Sequence, residues 1–167
     1  MRTTVGHSAS RTVIARNNSP DTLFDRSINP YWVCEHGCIY CFARPSHAYL
    51  GLSPGLGFET KLFAKPDAPA LLENELRKDG YEVAPIAFGD NTDPYQPVEW
   101  QWRIIRGLIE VLDRANHPLT IVKKSPLVLS DLDILSSMAR PNLCSVTMNI
   151  TTLDRDLTPS SMITLPG

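Results

Sequence analysis

The sequence predicts an α/β fold built from parallel βαβ units. Three observations support this prediction. Short apolar runs that suit buried strands alternate along the chain with segments of helical period, which is the pattern of βαβ units. The 167 residues suffice for one domain with a sizeable core. The apolar fraction of 43% and the charged fraction of 20% are ordinary for a globular protein.

Four segments have the character of strands. An extended piece over Leu23–Asn29 comes first, and Tyr81–Phe88 is an apolar run that ends at a glycine. Leu119–Val122 and Leu143–Ile150 follow as the third and fourth strands. In parallel sheets ligands collect at the C-terminal ends of the strands, so the residues just after each strand are the candidate site.

Three helices separate these strands. Asp67 is positioned to cap a helix over Ala68–Lys78, and Pro97 opens a second helix that extends to Arg114. Ser130 is positioned to cap the third. The apolar stripe predicted for the second helix is Trp100, Ile104, Leu108, Val111 and Leu112, and that of the third is Leu132, Leu135 and Met138.

The two ends of the chain lack a hydrophobic period. Residues 1–20 read as a polar N-terminal surface arm, residues 21–157 as the α/β domain, and residues 158–167 as an irregular tail. The net charge of −2 gives no global basic field for nucleic acid. No apolar run reaches the roughly 18 residues of a membrane span, and the N-terminus has no apolar signal core. We therefore expect a cytoplasmic, reducing setting with no membrane partner.

Three cysteines lie within eight residues, at Cys34, Cys38 and Cys41, in the pattern C-x3-C-x2-C. Three thiolates on one loop can hold three irons of a four-iron cluster and leave the fourth iron open to another ligand. A zinc site completed by His36 is an alternative, although His36 is only two residues from two of the cysteines. Cys144 could complete a four-cysteine cluster, or could be a small core residue. The remaining hypothesis is that the cysteine loop binds no metal.

The cysteine spacing, with Tyr40 just before the last cysteine, resembles the signature of the radical S-adenosylmethionine (SAM) superfamily. Further segments resemble the branch related to spore photoproduct lyase, whose members are often labelled DNA repair photolyases. These segments are Ile28–Tyr31, Cys34–Gly51, Phe58–Phe63 and Asn91–Pro97. The similarity extends from about Arg11 to Leu157. Members of this branch usually carry Arg-Gly where this chain has Trp32-Val33.

This resemblance implies that Cys34, Cys38 and Cys41 ligate a 4Fe-4S cluster and that SAM chelates the open iron. One electron then cleaves SAM to a 5′-deoxyadenosyl radical that abstracts hydrogen from substrate. No general base is required, so the resemblance points to no acid–base pair. The positions that match SAM-binding residues are Tyr40 at the adenine, Asn91, Thr92 and Asp93 at the ammonium group, Lys124 beside Ser125 at the carboxylate, and Asn149 near the ribose.

Each of these positions also has a plainer interpretation, which for Tyr40 is a loop aromatic that packs on the core. Asn91–Asp93 before Pro94 suits an ordinary Asx-turn, and adjacent lysines are commonly solvated. A buried Asn149 requires a partner, which a ligand or the backbone could supply. Arg44, His47, Glu59 and Lys61 could meet substrate or form surface ion pairs.

The resemblance further implies a partial (β/α) barrel of the radical SAM type, with about four βα units and an incomplete C-terminus, because the complete core usually has six units. We expect a truncated product on this ground. A nucleic-acid lesion is the implied substrate, in a lyase-like repair reaction, and a flavodoxin or ferredoxin is the implied electron donor. A non-catalytic zinc or iron–sulfur module left by truncation is the alternative function.

Overall fold

The fold of the chain is mixed α/β. The structure, a computed structural model, describes residues 3–22, 24–38, 41–45, 51 and 61–150. Its strands are β1 (Thr4–His7), β2 (Ala15–Arg16), β3 (Arg26–Ile28), β4 (Tyr31–Trp32), β5 (Lys61–Ala64), β6 (Ile86–Phe88), β7 (Leu119–Lys123) and β8 (Cys144–Met148). Its helices are α1 (Ala68–Leu76), α2 (Glu99–Trp102), α3 (Ile104–Arg114) and α4 (Leu132–Ala139), with a 3₁₀ helix over Pro126–Asp131.

The larger sheet has the strand order β2-β3-β6-β7-β8, in which the last four strands are parallel. All four predicted strands are therefore present and run in the predicted direction. The second begins only at Ile86 rather than at Tyr81, because Pro85 has no N–H to donate to a neighbouring strand. The parallel arrangement brings the C-terminal ends of β3, β6, β7 and β8 to the same edge of the sheet.

The N-terminal segment is attached to the fold at two places, which corrects the prediction of an aperiodic arm. β1 pairs in parallel with β5, and β2 pairs with β3 in antiparallel orientation. Val13, between them, is buried. β1, β5 and β4 form a separate small sheet that the sequence did not predict. Strands of two to four residues are too short to show a hydrophobic period.

The helices follow the prediction with several corrections. Asp67 occupies the N-cap position of α1, but its side chain makes no capping hydrogen bond. Ser130 does not cap α4, because its hydroxyl donates to the carbonyl of Leu127 and the N-cap residue is Asp131. Trp100 is 70% exposed and does not join the apolar stripe. None of the described helices is long and apolar enough to cross a membrane.

The predicted helix from Pro97 to Arg114 is divided into α2 and α3 at Arg103, which has a left-handed φ of 49°. The break follows from Glu99, which is buried. Its carboxylate accepts hydrogen bonds from the backbone N–H groups of Ile104 and Ile105, at 3.2 and 2.8 Å. The first N–H groups of a helix have no acceptor within that helix. Because α3 begins at Ile104, these two N–H groups are available to the carboxylate.

One hydrophobic core lies between the larger sheet and the helices. Of the predicted stripes, Ile104, Leu108, Val111, Leu112, Leu135 and Met138 are buried in it. Leu132 is 56% exposed and lies outside it. The other fully buried large side chains are Tyr31, Tyr95, Phe88, Ile28, Leu62, Leu72, Ile86, Ile105 and Ile109. This core fixes the strand edge at which the candidate site is assembled.

Candidate functional site

A cavity of about 400 Å³ lies at the C-terminal edge of the parallel strands. The cysteine loop after β4 forms one wall, with Cys34, Cys38 and Cys41. The loops that follow β6, β7 and β8 contribute the other walls. The volume falls within the roughly 300–1,000 Å³ of small-molecule sites. The lining residues from these three loops include Gly89, Asp90, Asn91, Thr92, Asp93, Lys123, Lys124 and Asn149.

The cysteine loop is shaped by two residues with left-handed backbone. Val33 has φ 77° and Gly37 has φ 59°. The N–H of Cys41 donates to the carbonyl of Cys38 at 3.1 Å, which turns the loop toward its third cysteine. The Arg44 guanidinium donates to the carbonyls of Gly37 and Cys38. Arg44, proposed from sequence as a possible substrate contact, is thus engaged in shaping this loop.

The loop is also fastened to the segment before α2, more than 60 residues along the chain. The Gln96 side chain accepts from the N–H of Glu35 at 2.9 Å and donates to the carbonyl of Val33 at 3.2 Å. The Glu35 carboxylate in turn accepts from the N–H of Val98 at 2.8 Å. These three bonds bracket Cys34 on both sides. Gln96 was not predicted as a site residue, although it lies in the Asn91–Pro97 segment that resembles the family.

The surroundings of Cys34 favour its neutral thiol. Cys34 is 7% exposed, and burial raises the pKa of its thiol to about 12. A thiolate at this position would therefore require a nearby cation, such as a metal ion. Among the described residues no group of three or more His, Cys, Asp or Glu side chains is closed around a single ion position. A four-iron cluster spaces its thiolates more widely than one ion, because each thiolate binds a different iron.

His36 lies in the same cavity and has no hydrogen-bond partner at either ring nitrogen in the described part of the chain. It is 4% exposed. Its Nε2 lies 3.5 Å from Oδ2 of Asp93. Burial lowers the pKa of His36, which favours the neutral imidazole with one free lone pair. The sequence analysis proposes His36 only as an alternative zinc ligand, because its burial without a hydrogen-bond partner is not visible in the spacing.

The loop after β6 starts at a position where only glycine fits. Gly89 has φ 89°, and a Cβ atom there would lie 2.0 Å from the carbonyl oxygen of Val122. Thr92 is buried, and its hydroxyl donates to the carbonyl of Tyr31 at 3.3 Å. One Asp90 carboxylate oxygen is buried without a partner among the described residues. Asn91 also lines the cavity.

Asp93 forms the Asx-turn that the sequence offered as the plainer reading. Its Oδ1 accepts from the N–H of Tyr95 at 2.9 Å. Its Oδ2 accepts from the N–H groups of Lys124 and Ser125, at 2.8 and 3.3 Å. The carboxylate therefore ties the loop after β6 to the loop after β7. A carboxylate offers about four lone-pair sites, so one remains on Oδ1 for a ligand.

The loops after β7 and β8 complete the cavity. Lys123 is buried and donates to the carbonyl of Ser125, whereas the Lys124 side chain lines the cavity. Asn149 lines it too, and its N–H donates to the carbonyl of Lys123 at 2.9 Å. Asn149 is exposed on the protein. The structure thus brings together Asn91, Thr92, Asp93, Lys124 and Asn149 with the three cysteines.

The remaining predicted residues lie elsewhere or outside the described residues. Cys144 is the first residue of β8, opposite Leu119, and therefore lies about 16 Å along the strand from Asn149. Its position at the far end of the sheet agrees with the reading of Cys144 as a core residue, because it packs against the hydrophobic core. Lys61 is exposed on β5. Tyr40, His47 and Glu59 lie outside the described residues.

The chain is similar to uncharacterized proteins of Mycobacterium tuberculosis and Mycobacterium bovis, with 37% identity over 140 residues. This match covers 84% of the chain and 41% of each relative, so the chain spans about two fifths of their length. An uncharacterized protein of Methanocaldococcus jannaschii is 26% identical over 112 residues, which cover 67% of this chain and 40% of that protein. No model of a known protein family matches the sequence, and no solved structure matches it.

Proposed function

We propose that the chain holds a 4Fe-4S cluster through Cys34, Cys38 and Cys41 and binds SAM beside it, as radical SAM enzymes do. One observation carries the proposal: the three thiols and the polar loops after β6, β7 and β8 line the same cavity. The parallel order β3-β6-β7-β8 is the order that consecutive units of a radical SAM (β/α) barrel would have.

Each wall of the cavity would have a separate task. The cysteines would hold three irons, and the fourth iron would remain available for SAM. Asn91 and the remaining lone pair of Asp93 would accept hydrogen bonds from the SAM ammonium group, while Lys124 would attract its carboxylate. Asn149 would contact the ribose of SAM, and Tyr40 would contact its adenine. When bound, the reduced cluster would supply the electron that cleaves SAM to the 5′-deoxyadenosyl radical.

The substrate and partners of the whole protein are proposals that rest on the resemblance. A nucleic-acid lesion is the proposed substrate, in a lyase-like reaction, and a flavodoxin or ferredoxin is the proposed electron donor. A reducing cytoplasm, the setting predicted from the crowded cysteines, would preserve such a cluster. The chain's own contribution would be to position the cluster and to exclude water from it.

Anaerobic reconstitution tests the cluster assignment. We expect about four irons and four sulfides per chain, and loss of the cluster spectrum in Cys34→Ala, Cys38→Ala and Cys41→Ala. Cys144→Ala is the matched control, because it removes the fourth cysteine without touching the cavity. If Cys144→Ala alone abolished the cluster, or if wild-type protein took up no iron and sulfide, the proposal would be wrong.

A non-catalytic zinc module is the second candidate, and the state of His36 is the observation that favours it. Three cysteines and one histidine are a common ligand set for structural zinc. These side chains would have to move together to bind one ion, because no such group is closed around a single ion position among the described residues. His36 is buried in the cysteine-lined cavity with both nitrogens unpaired among the described residues. Zinc bound at one ion per chain, without sulfide, after anaerobic preparation in the presence of both metals would select this candidate.

A further inference from the structure

We propose that His36 is a fourth protein ligand of the bound cluster in the absence of SAM, and that SAM displaces it from the open iron. This inference rests on the proposed function and adds a resting state to it. The exchange breaks one iron–nitrogen bond to the imidazole and forms bonds from the same iron to the amino and carboxylate groups of SAM. No electron is transferred in this exchange.

The first argument is that the His36 ring is buried without partners. His36 is 4% exposed, and neither ring nitrogen has a hydrogen-bond partner among the described residues. His117, which is equally buried, shows the usual situation: its Nε2 pairs with the Tyr81 hydroxyl at 2.8 Å and its Nδ1 with the carbonyl of Pro118 at 2.9 Å. Buried polar groups without partners are uncommon and call for an explanation, such as a bound ion.

The second argument is the position of Asp93. Histidines that bind metals usually donate their other N–H to a carboxylate or carbonyl, which fixes the ring and its tautomer. Nε2 of His36 lies 3.5 Å from Oδ2 of Asp93. That carboxylate is held in place by the N–H groups of Lys124 and Ser125. Nε2 therefore faces a carboxylate at a distance longer than a hydrogen bond, and a proton on Nε2 would leave the lone pair of Nδ1 for the metal.

The third argument is the position of His36 within the cysteine loop. His36 lies between Cys34 and Cys38 on the same loop and lines the same cavity as all three thiols. Gly37, with φ 59°, turns the chain directly after it. The loop is anchored to Gln96 and Val98 on the side of Cys34 and by Arg44 on the side of Cys38. The bonds that hold the cysteines would therefore also hold the imidazole near a cluster bound to them.

The test is pulsed electron paramagnetic resonance of the reduced, SAM-free cluster in protein labelled with ¹⁵N-histidine. We expect a strong ¹⁵N coupling in the wild type that disappears when unlabelled SAM is added. His36→Gln should keep the iron and sulfide content, lose the coupling, and bind SAM more tightly because the internal competitor is gone. His7→Gln and His47→Gln are controls that each remove one labelled histidine and should retain the coupling.

The outcomes separate this inference from the proposed function. An intact wild-type cluster without ¹⁵N coupling would overturn the role of His36 and leave the SAM proposal standing. Loss of the coupling in His47→Gln, but not in His36→Gln, would also overturn it. If the wild type took up zinc and no cluster, the proposed function would have failed, and this inference with it, because it concerns a ligand of the cluster. A chain that bound neither zinc nor a cluster would refute both the proposed function and this inference.

Discussion

Val33 is a β-branched residue with a left-handed backbone conformation, which such residues rarely adopt. A β-branched side chain at φ 77° is strained, because its Cβ crowds the backbone in the left-handed region. A glycine at this position would adopt such a φ without steric cost. Val33 is nonetheless buried against Ala43 and Cys41. The strain is thus offset by packing on the cysteine loop.

This balance gives a prediction for the metal-free chain. Val33→Gly relieves about 1–3 kcal/mol of backbone strain and loses about 2–4 kcal/mol through apolar burial and the greater chain entropy of glycine, so mid-range values leave a net loss of about 1 kcal/mol in the free energy of unfolding. Val13→Gly is the matched control, since Val13 is also buried but has no left-handed φ. It should lose about 2–4 kcal/mol. Urea denaturation measures both, and equal losses would show that Val33 is not strained.

Asp93 and Asp90 lie three residues apart in one loop and differ in their hydrogen bonding. Asp93→Ala leaves the N–H groups of Tyr95, Lys124 and Ser125 without their acceptor. We expect a loss of about 2–4 kcal/mol in the free energy of unfolding, together with weaker SAM binding. Asp90→Ala removes a buried carboxylate oxygen that has no partner among the described residues, so it should cost less than about 1 kcal/mol. Similar losses in thermal or urea denaturation would contradict this account.

At the scale of elements, the junction between α2 and α3 depends on Glu99. Its carboxylate accepts from the Tyr31 hydroxyl as well as from the first N–H groups of α3. Burial raises its pKa from 4.5 to about 7, against the opposing effect of these hydrogen bonds. Tyr31 lies on β4. Glu99 therefore connects the start of α3 to the strand that leads into the cysteine loop.

The raised pKa predicts a pH dependence of stability. A carboxyl group whose folded pKa exceeds its unfolded pKa binds its proton more tightly when folded. Its stabilising contribution is complete below pH 4.5 and is lost as the pH rises through about 7. The loss is on the order of 3 kcal/mol. The difference in unfolding free energy between wild type and Glu99→Gln, measured from pH 4.5 to 8, should change by this amount.

Glu99→Gln also places an amide N–H₂ group against backbone donors, which lowers stability at every pH. This loss of stability does not vary with pH, so it can be separated from the pH dependence of the unfolding free energy. The pKa values of His36 and His117 are lowered by burial, so they change the slope in the opposite sense in both proteins. The contributions of the two histidines therefore cancel in the difference in unfolding free energy between wild type and Glu99→Gln. A difference that stays constant over this pH range would contradict a raised Glu99 pKa.

At the scale of the whole molecule, β8 is an edge strand among the described residues, because it pairs there only with β7. Val146 and Met148 on this strand are 41% and 50% exposed. Edge strands with exposed apolar side chains favour pairing with another chain. We expect the 167-residue chain to self-associate as its concentration rises in sedimentation velocity, and Met148→Lys to reduce that association.

Leu129→Lys is the control for this prediction. Leu129 is 65% exposed but lies on the 3₁₀ helix and not on a strand. If association were general hydrophobic adhesion, both lysine variants would reduce it equally. Equal behaviour of the two variants, or a monomer at all concentrations, would contradict association through β8.

The alternation of strands and helices and the grouping of the three cysteines were determined by the sequence alone. The four parallel strands and the core positions of α3 were found where the hydrophobic pattern placed them, because each pattern reports which face of a local segment is buried. The spacing of the three cysteines is likewise a local feature that can be seen in the sequence. The cluster and SAM assignments drawn from it stay predictions.

Only the tertiary structure decided which distant groups meet. The pairing of β1 with β5, the bonds from Gln96 to the cysteine loop, and the division of the predicted helix by Glu99 all depend on approaches between separate parts of the chain. The unpaired burial of His36 beside Asp93 is of the same kind. A residue type at one position does not specify its hydrogen-bond partner, because the core packing brings that partner from elsewhere in the sequence.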